Sequence, residues 1–129
     1  MVRTFIIGDI HGEIRLLEKL LKEMDTYKTE ELVFVGDFID RGPHSRLVID
    51  RLMSLDTPSV FLMGNHELML LNAIENMAYG YSPIELWYYN GAEATLQSFG
   101  ANSFFNFQTV LEGKYLDFFR NLKMCHVSK

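Results

Sequence analysis

Within its first 67 residues the chain runs the same course three times. An apolar run ends in glycine, and a residue able to bind a metal follows. The three stretches are Ile6-Ile7-Gly8-Asp9-Ile10-His11-Gly12, then Leu32–Val35 leading into Gly36-Asp37-Phe38-Ile39-Asp40-Arg41-Gly42-Pro43, then Phe61-Leu62-Met63-Gly64-Asn65-His66-Glu67. Short apolar runs of this kind read as buried strands, and the Gly-Pro pair marks a turn. The polar tips therefore fall at the carboxyl ends of strands, where open α/β sheets bind ligands. A fold that buries all three strands is expected to bring the three tips together.

Between and beyond the tips the pattern is helical. Glu13–Met24 sets Ile14, Leu17, Leu20, Leu21 and Met24 on one face and Arg15, Glu18, Lys19, Lys22 and Glu23 on the other, which predicts a helix. A second helix is expected from Pro43, suited to a first turn, to Leu55, with Leu47, Val48, Leu52 and Leu55 inward. Strands are expected over Val2–Ile7, Leu32–Val35 and Val60–Met63. The alternating order predicts an α/β fold with a right-handed parallel βαβαβ sheet. After Glu67 come a helix through Ile74, a second over Glu85–Tyr89 entered at Ser82-Pro83, a third over Ala92–Phe99 stopped by Gly100, and a last over Leu111–Leu122. Asn102–Phe107 reads as a loop or irregular turn. The expected organisation is one domain over residues 1–129, with a sheet-bearing part (1–66) and a helical part (67–129).

The formal charge of −5 argues against a general nucleic-acid binder, which needs a basic face. It leaves phosphate substrates open, because bound divalent ions reverse the local field. One cysteine, Cys125, permits no internal disulfide and suits a reducing cytoplasm. No stretch is long enough to span a membrane.

The chemistry lies in the tips. Alternate side chains of an extended segment point the same way, so Asp9 and His11 can face one ion. Asp37, from the neighbouring strand, can reach that ion and bridge to a second, and Asn65 adds a neutral oxygen. Carboxylate, imidazole and amide oxygen suit a divalent ion such as manganese, iron or zinc. Two ions roughly 3.5–4 Å apart clamp the attacking and leaving oxygens of phosphoryl transfer and acidify a water. Arg41 can grip phosphate oxygens as a fork. His66 is placed to protonate the leaving oxygen, with Asp40 holding that imidazole in one tautomer.

The segments GDIHG (8–12), GDFIDRGP (36–43) and GNHE (64–67) resemble the three N-terminal signatures of calcineurin-like metallophosphoesterases, in the phosphoprotein phosphatase branch that includes bacterial serine/threonine phosphatases. The chain from Asn90-Gly91 onward also resembles the helical part of bacterial members. The resemblance implies Asp9, His11, Asp37 (bridging) and Asn65 as metal ligands for two ions, manganese first, with iron or zinc as alternatives. It implies Arg41, with Asn65, at the phosphate and His66 with Asp40 as the acid pair. Family members are longer and carry two further histidine ligands and a second arginine in a C-terminal half. On that comparison this chain is expected to be an N-terminal portion lacking the second half of the family's β-sandwich. Weak metal binding, poor turnover and self-association through the uncovered face are the corresponding expectations.

Plainer readings stand beside these. Each glycine–acid turn alone is compatible with a structural turn, and Asp40 with Arg41 with a surface ion pair of little energetic weight. His44 reads as a solvated helix-start residue. His126 is a distant candidate for the remaining metal positions, and Cys125 an inert, semi-buried thiol. Met53, Met63, Met69 and Met77 read as core filler. The aromatics from Tyr79 and Tyr81 through Trp87 to Phe119 read as packing, since no interleaved Lys or Arg favours base stacking. The implied substrate is a phosphomonoester, phosphoserine or phosphothreonine on a protein, or a small phosphoester. Two other readings remain: a symmetrical diadenosine tetraphosphate hydrolase, against which Asp40 and Glu67 count within the resemblance, and a catalytically silent metal-binding module.

Overall fold

The computed structural model describes residues 3–75, 82–111 and 113–127, so the expectations for Val2, Met77, Tyr79 and Tyr81 fall outside the described residues. Strands β1 (Thr4–Ile7), β2 (Glu31–Phe34) and β3 (Ser59–Phe61) form a parallel sheet in the order β1-β2-β3. Ile7 stands level with Phe34, and Phe34 with Phe61. The three strands consequently finish together, and the loops that follow open on one edge. Helices α1 (Ile14–Asp25) and α2 (Ser45–Met53) make the crossovers.

The helical part begins with α3 (Asn65–Glu75) and continues through α4 (Pro83–Tyr89), α5 (Ala92–Ser98), α6 (Phe104–Val110) and α7 (Lys114–Arg120). The fold is α/β, as the alternation of patterns predicts. One apolar cluster runs from Leu17 and Leu21 of α1 through Phe34, Phe38, Ile49 and Leu70 to Trp87, Phe107 and Phe119. After α7 the chain meets the end of β3, where the Lys123 N–H donates to the Phe61 carbonyl at 3.0 Å.

Several expectations are corrected. Only Asn102 and Ser103 are irregular, and Phe104–Phe107 already belongs to α6, because the Ser103 hydroxyl accepts the Asn106 N–H at 3.1 Å and caps that helix. Leu111–Leu122 is not one helix, because Gly113, at φ 69°, separates α6 from a shorter α7. Pro43 precedes α2 instead of opening it, since the His44 N–H bonds back to the Gly12 carbonyl at 3.0 Å. Leu47 (49% exposed) and Leu20 (39%) face outward, and Ile49 fills the core position next to Val48. Most of the aromatics are packed, but Tyr89 and Phe105 are exposed, and Met53, Met63 and Met69 pack against the core edge. Among the described residues no helix is long and apolar enough to cross a membrane.

Candidate active site

The first loop is stitched to the second by backbone bonds. His11 N–H donates to the Asp37 carbonyl and Gly12 N–H to the Phe38 carbonyl, both at 2.9 Å. Two glycine contacts show how close the strands' ends come. A Cβ on Gly42 would collide with the His11 carbonyl, and one on Gly36 would collide with the backbone of Gly64. Side chains at these positions would push the tips apart.

The result is convergence. Ligand atoms of Asp9, His11 and Asp37 all lie within 4.8 Å of one another, with Asp9 exposed and the other two half-buried. His11 Nδ1 lies 2.7 Å from the Ile39 carbonyl. A carbonyl can only accept, so Nδ1 carries the proton and Nε2 presents its lone pair, as an imidazole ligand requires. Asp37 Oδ1 accepts the His66 N–H at 3.2 Å, tying the second loop to the third. The backbone just before Asn65, the exposed first residue of α3, runs beside the Asp37 carboxylate, since a Cβ on Gly64 would fall 2.5 Å from Asp37 Oδ1. Two carboxylates and an imidazole lone pair fit a divalent ion of the manganese, iron or zinc type.

His66 and Asp40 lie under this corner, 3% and 0% exposed. His66 Nδ1 is 2.8 Å from Asp40 Oδ2, and its ring meets that of His11 edge-on at 4.6 Å between centroids. The Asp40 carboxylate has further partners that sequence reasoning missed. Trp87 Nε1–H donates to Oδ2 at 2.7 Å and the Thr95 hydroxyl to Oδ1 at 2.6 Å. Asp40 N–H donates in turn to Thr95 Oγ1 at 2.9 Å and to Ser45 Oγ at 3.2 Å. Burial pushes the Asp40 carboxyl above its ordinary range, against the lowering effect of Thr95, His66 and Trp87.

Glu67 is a second missed residue. It is fully buried, and it accepts the backbone N–H groups of Asp37 (2.7 Å), Phe38 (2.9 Å) and Gly64 (3.1 Å). One side chain thus fastens the second and third loops. Burial pushes its carboxyl up to about 7, with the nearby Asp37 charge adding to the rise. A glutamate in the first turn of a helix, on a face that must be buried, was the available signal.

Strain marks the same place. Among the described residues six non-glycine residues have positive φ, and five of them are Asp9, His11, Asp37, Asp40 and Arg41, at 53°, 43°, 58°, 74° and 71°. Such conformations are costly for residues with a Cβ and cluster at functional sites. The Arg41 backbone N–H is held by the Gly91 carbonyl at 3.1 Å. Its side chain is exposed, and among the described residues its guanidinium has no ion-pair partner. The reading of Asp40 with Arg41 as a surface ion pair is therefore corrected: the two side chains part, one inward and one outward.

Two distant candidates do not join the site. His126 Nε2 pairs with Glu31 Oε1 at 2.8 Å, at the start of β2 and so at the opposite end of that strand. Cys125 is exposed, not semi-buried. His44 is exposed, as expected for a solvated residue at the start of α2.

The model of the calcineurin-like phosphoesterase family matches residues 2–125. A symmetrical bis(5'-nucleosyl)-tetraphosphatase of Coxiella burnetii is 42% identical over 96 residues, covering 74% of this chain and 31% of that protein. Serine/threonine-protein phosphatase 2 of Escherichia coli is 44% identical over 73 residues, covering 55% of this chain and 32% of that one. The chain thus spans about a third of the length of these curated relatives. Among solved structures, a metallophosphoesterase from Sphaerobacter thermophilus superposes with a TM-score of 0.58 at 22% identity, covering 98% of this chain and 44% of that one. A cold-active protein tyrosine phosphatase gives 0.58 at 19% identity, covering 95% and 39%. At these identities the structural likeness concerns the fold.

Proposed function

The chain belongs to the calcineurin-like phosphoesterase family, and we propose that its three strand-end loops serve metal-dependent phosphoester hydrolysis. The observation that carries this reading is the gathering of Asp9, His11 and Asp37 ligand atoms within 4.8 Å. These residues and Asn65 hold the divalent metal, in the proposal two ions with manganese first. When bound, the metal supplies Lewis acidity and an acidified water.

The chain's own residues do the rest. The exposed Arg41 fork receives two phosphate oxygens side by side. With Nδ1 committed to Asp40, His66 uses Nε2 to give its proton to the leaving oxygen as the bond from phosphorus to that oxygen breaks. The Asp40 carboxylate balances the imidazolium before transfer and keeps Nδ1 protonated after it.

For substrate we favour a phosphomonoester on serine or threonine of a protein. The Escherichia coli relative, named as a serine/threonine phosphatase, supports this, as does the intact His66–Asp40 pair. The Coxiella burnetii relative favours a second reading, symmetrical cleavage of a bis(5'-nucleosyl) tetraphosphate. Incubating the chain and manganese with a phosphothreonine peptide, and separately with diadenosine tetraphosphate, decides between them. Phosphate release from the peptide is expected. Turnover of the dinucleotide alone would install the second reading, and turnover of neither would refute hydrolysis by this chain.

A further inference from the structure

Three residues at four-residue spacing in the helical part, Trp87, Gly91 and Thr95, all touch the Asp40–Arg41 corner. Trp87 Nε1–H reaches Asp40 Oδ2 at 2.7 Å, the Gly91 carbonyl takes the Arg41 N–H at 3.1 Å, and Thr95 grips Asp40 at both its N–H and its carboxylate. From this we infer that the α4–α5 segment is a clamp that aims the acid pair, with Trp87 and Thr95 as positioning residues for His66.

Packing alone does not account for the arrangement. The Trp87 ring is wholly buried against Phe104 and Phe107, and a phenyl ring would serve that contact without placing an N–H on a carboxylate. Donor and acceptor bookkeeping closes without remainder. Thr95 has one hydroxyl proton, which goes to Asp40 Oδ1, so the Ser45 hydroxyl must be the donor across the 3.2 Å contact with Thr95 Oγ1. The Thr95 oxygen is also the acceptor for Asp40's own N–H. Backbone and carboxylate of one residue are thus pinned to one atom, which locks the Asp40 rotamer.

Trp87 then occupies a lone pair of Oδ2, so His66 meets that oxygen from a single direction. Gly91 completes the clamp. A Cβ there would lie 2.8 Å from Arg41 Cγ, and its φ of 103° suits glycine. Neither Trp87 nor Thr95 touches a reacting atom in this arrangement. Their effect reaches the chemistry through the orientation of the His66 ring.

The test uses Trp87→Phe, which keeps an aromatic ring but removes the N–H, and Thr95→Val, which keeps the side-chain shape but removes the hydroxyl as donor to the carboxylate and as acceptor for the Asp40 N–H, with Thr95→Ser as the conservative control. Histidine 15N spectra of the whole chain, with the His66 signal assigned by its loss in His66→Asn, should show one Nδ1-protonated tautomer in the wild type. In the Phe and Val variants that signal should shift toward a mixture of tautomers, and Thr95→Ser should restore it. An unchanged His66 signal in both folded variants overturns the inference.

Kinetics supply a second readout, which rests on the phosphoesterase reading. With manganese, phenyl phosphate needs its leaving oxygen protonated and 4-nitrophenyl phosphate barely does. Turnover of the first should fall about tenfold or more, and of the second less than about threefold. Equal losses on both substrates would reduce the clamp to a structural role. If the wild type turns over neither ester, the hydrolase reading fails and the spectra alone decide the positioning.

Discussion

The Glu67 carboxylate receives the Asp37 backbone N–H at 2.7 Å, and through its other bonds holds Phe38 and Gly64 as well. Asp37, whose carboxylate gathers with Asp9 and His11, is therefore oriented through its backbone by a buried acid. In Glu67→Gln an amide N–H must confront a backbone N–H whichever way the side chain turns. The substitution is expected to cost about 1–3 kcal/mol of stability. Manganese affinity should fall roughly 10- to 100-fold, as for other partners that orient a ligand. Urea denaturation and calorimetric titration measure the two effects, and wild-type values in both would sink the assignment.

The same carboxyl predicts a pH dependence. In the metal-free fold it is held up to about 7 against an ordinary 4.5. Between those values the folded chain keeps a proton that the unfolded chain has released, so stability falls as pH rises through the window. The fall amounts to about 2–3 kcal/mol. A series of urea denaturations in chelator, from acid to neutral pH, should show it, and Glu67→Gln should flatten it. Added manganese should also reduce the slope, because a cation beside Asp37 offsets the like charge. A stability that rises through the window would contradict the burial-driven shift.

Metal binding itself is separable from turnover. Manganese at roughly 100 times its Kd should stabilise the chain by about 2.7 kcal/mol over the chelated protein. Asp37→Asn should abolish that gain, because it removes a carboxylate from the ligand set. His126→Ala should leave it intact, since that imidazole is paired with Glu31 at the far end of β2. Identical melting temperatures with manganese and with chelator would count against the whole metal reading.

The three tips were legible because each is written locally, as a strand ending in glycine and a ligand. The residues that make the tips work were not. Trp87 and Thr95 reach Asp40 from 47 and 55 positions away, and no spacing rule connects them. A lone tryptophan in a buried helix does require a partner for its N–H, which narrows the search without naming the partner. In α6 the apolar pattern of Phe104, Phe105 and Phe107 fits neither period cleanly, and the Ser103 cap decides it. Arg41 and Asp40 are adjacent in sequence yet one is exposed and the other buried, in a tip where both have positive φ, and no side-chain preference announces that.

That strain at Arg41 yields a comparison in which stability differs between two variants that lose the same function. At φ 71° an alanine keeps the steric cost of a Cβ, whereas a glycine adopts the same conformation freely. Gly42 Cβ space is already closed by the His11 carbonyl, so the loop cannot relax by shifting the turn one residue along. Arg41→Gly should therefore be about 1 kcal/mol more stable than Arg41→Ala, the left-handed penalty outweighing the extra chain entropy of glycine. Both should lose inorganic phosphate binding to the manganese-loaded chain, because each removes the exposed fork. Denaturation of the two variants side by side, with phosphate titration by calorimetry, makes the test. If Arg41→Ala proves the more stable, the left-handed backbone at this position stores no strain. If either variant keeps wild-type phosphate affinity, Arg41 is not the anion's partner.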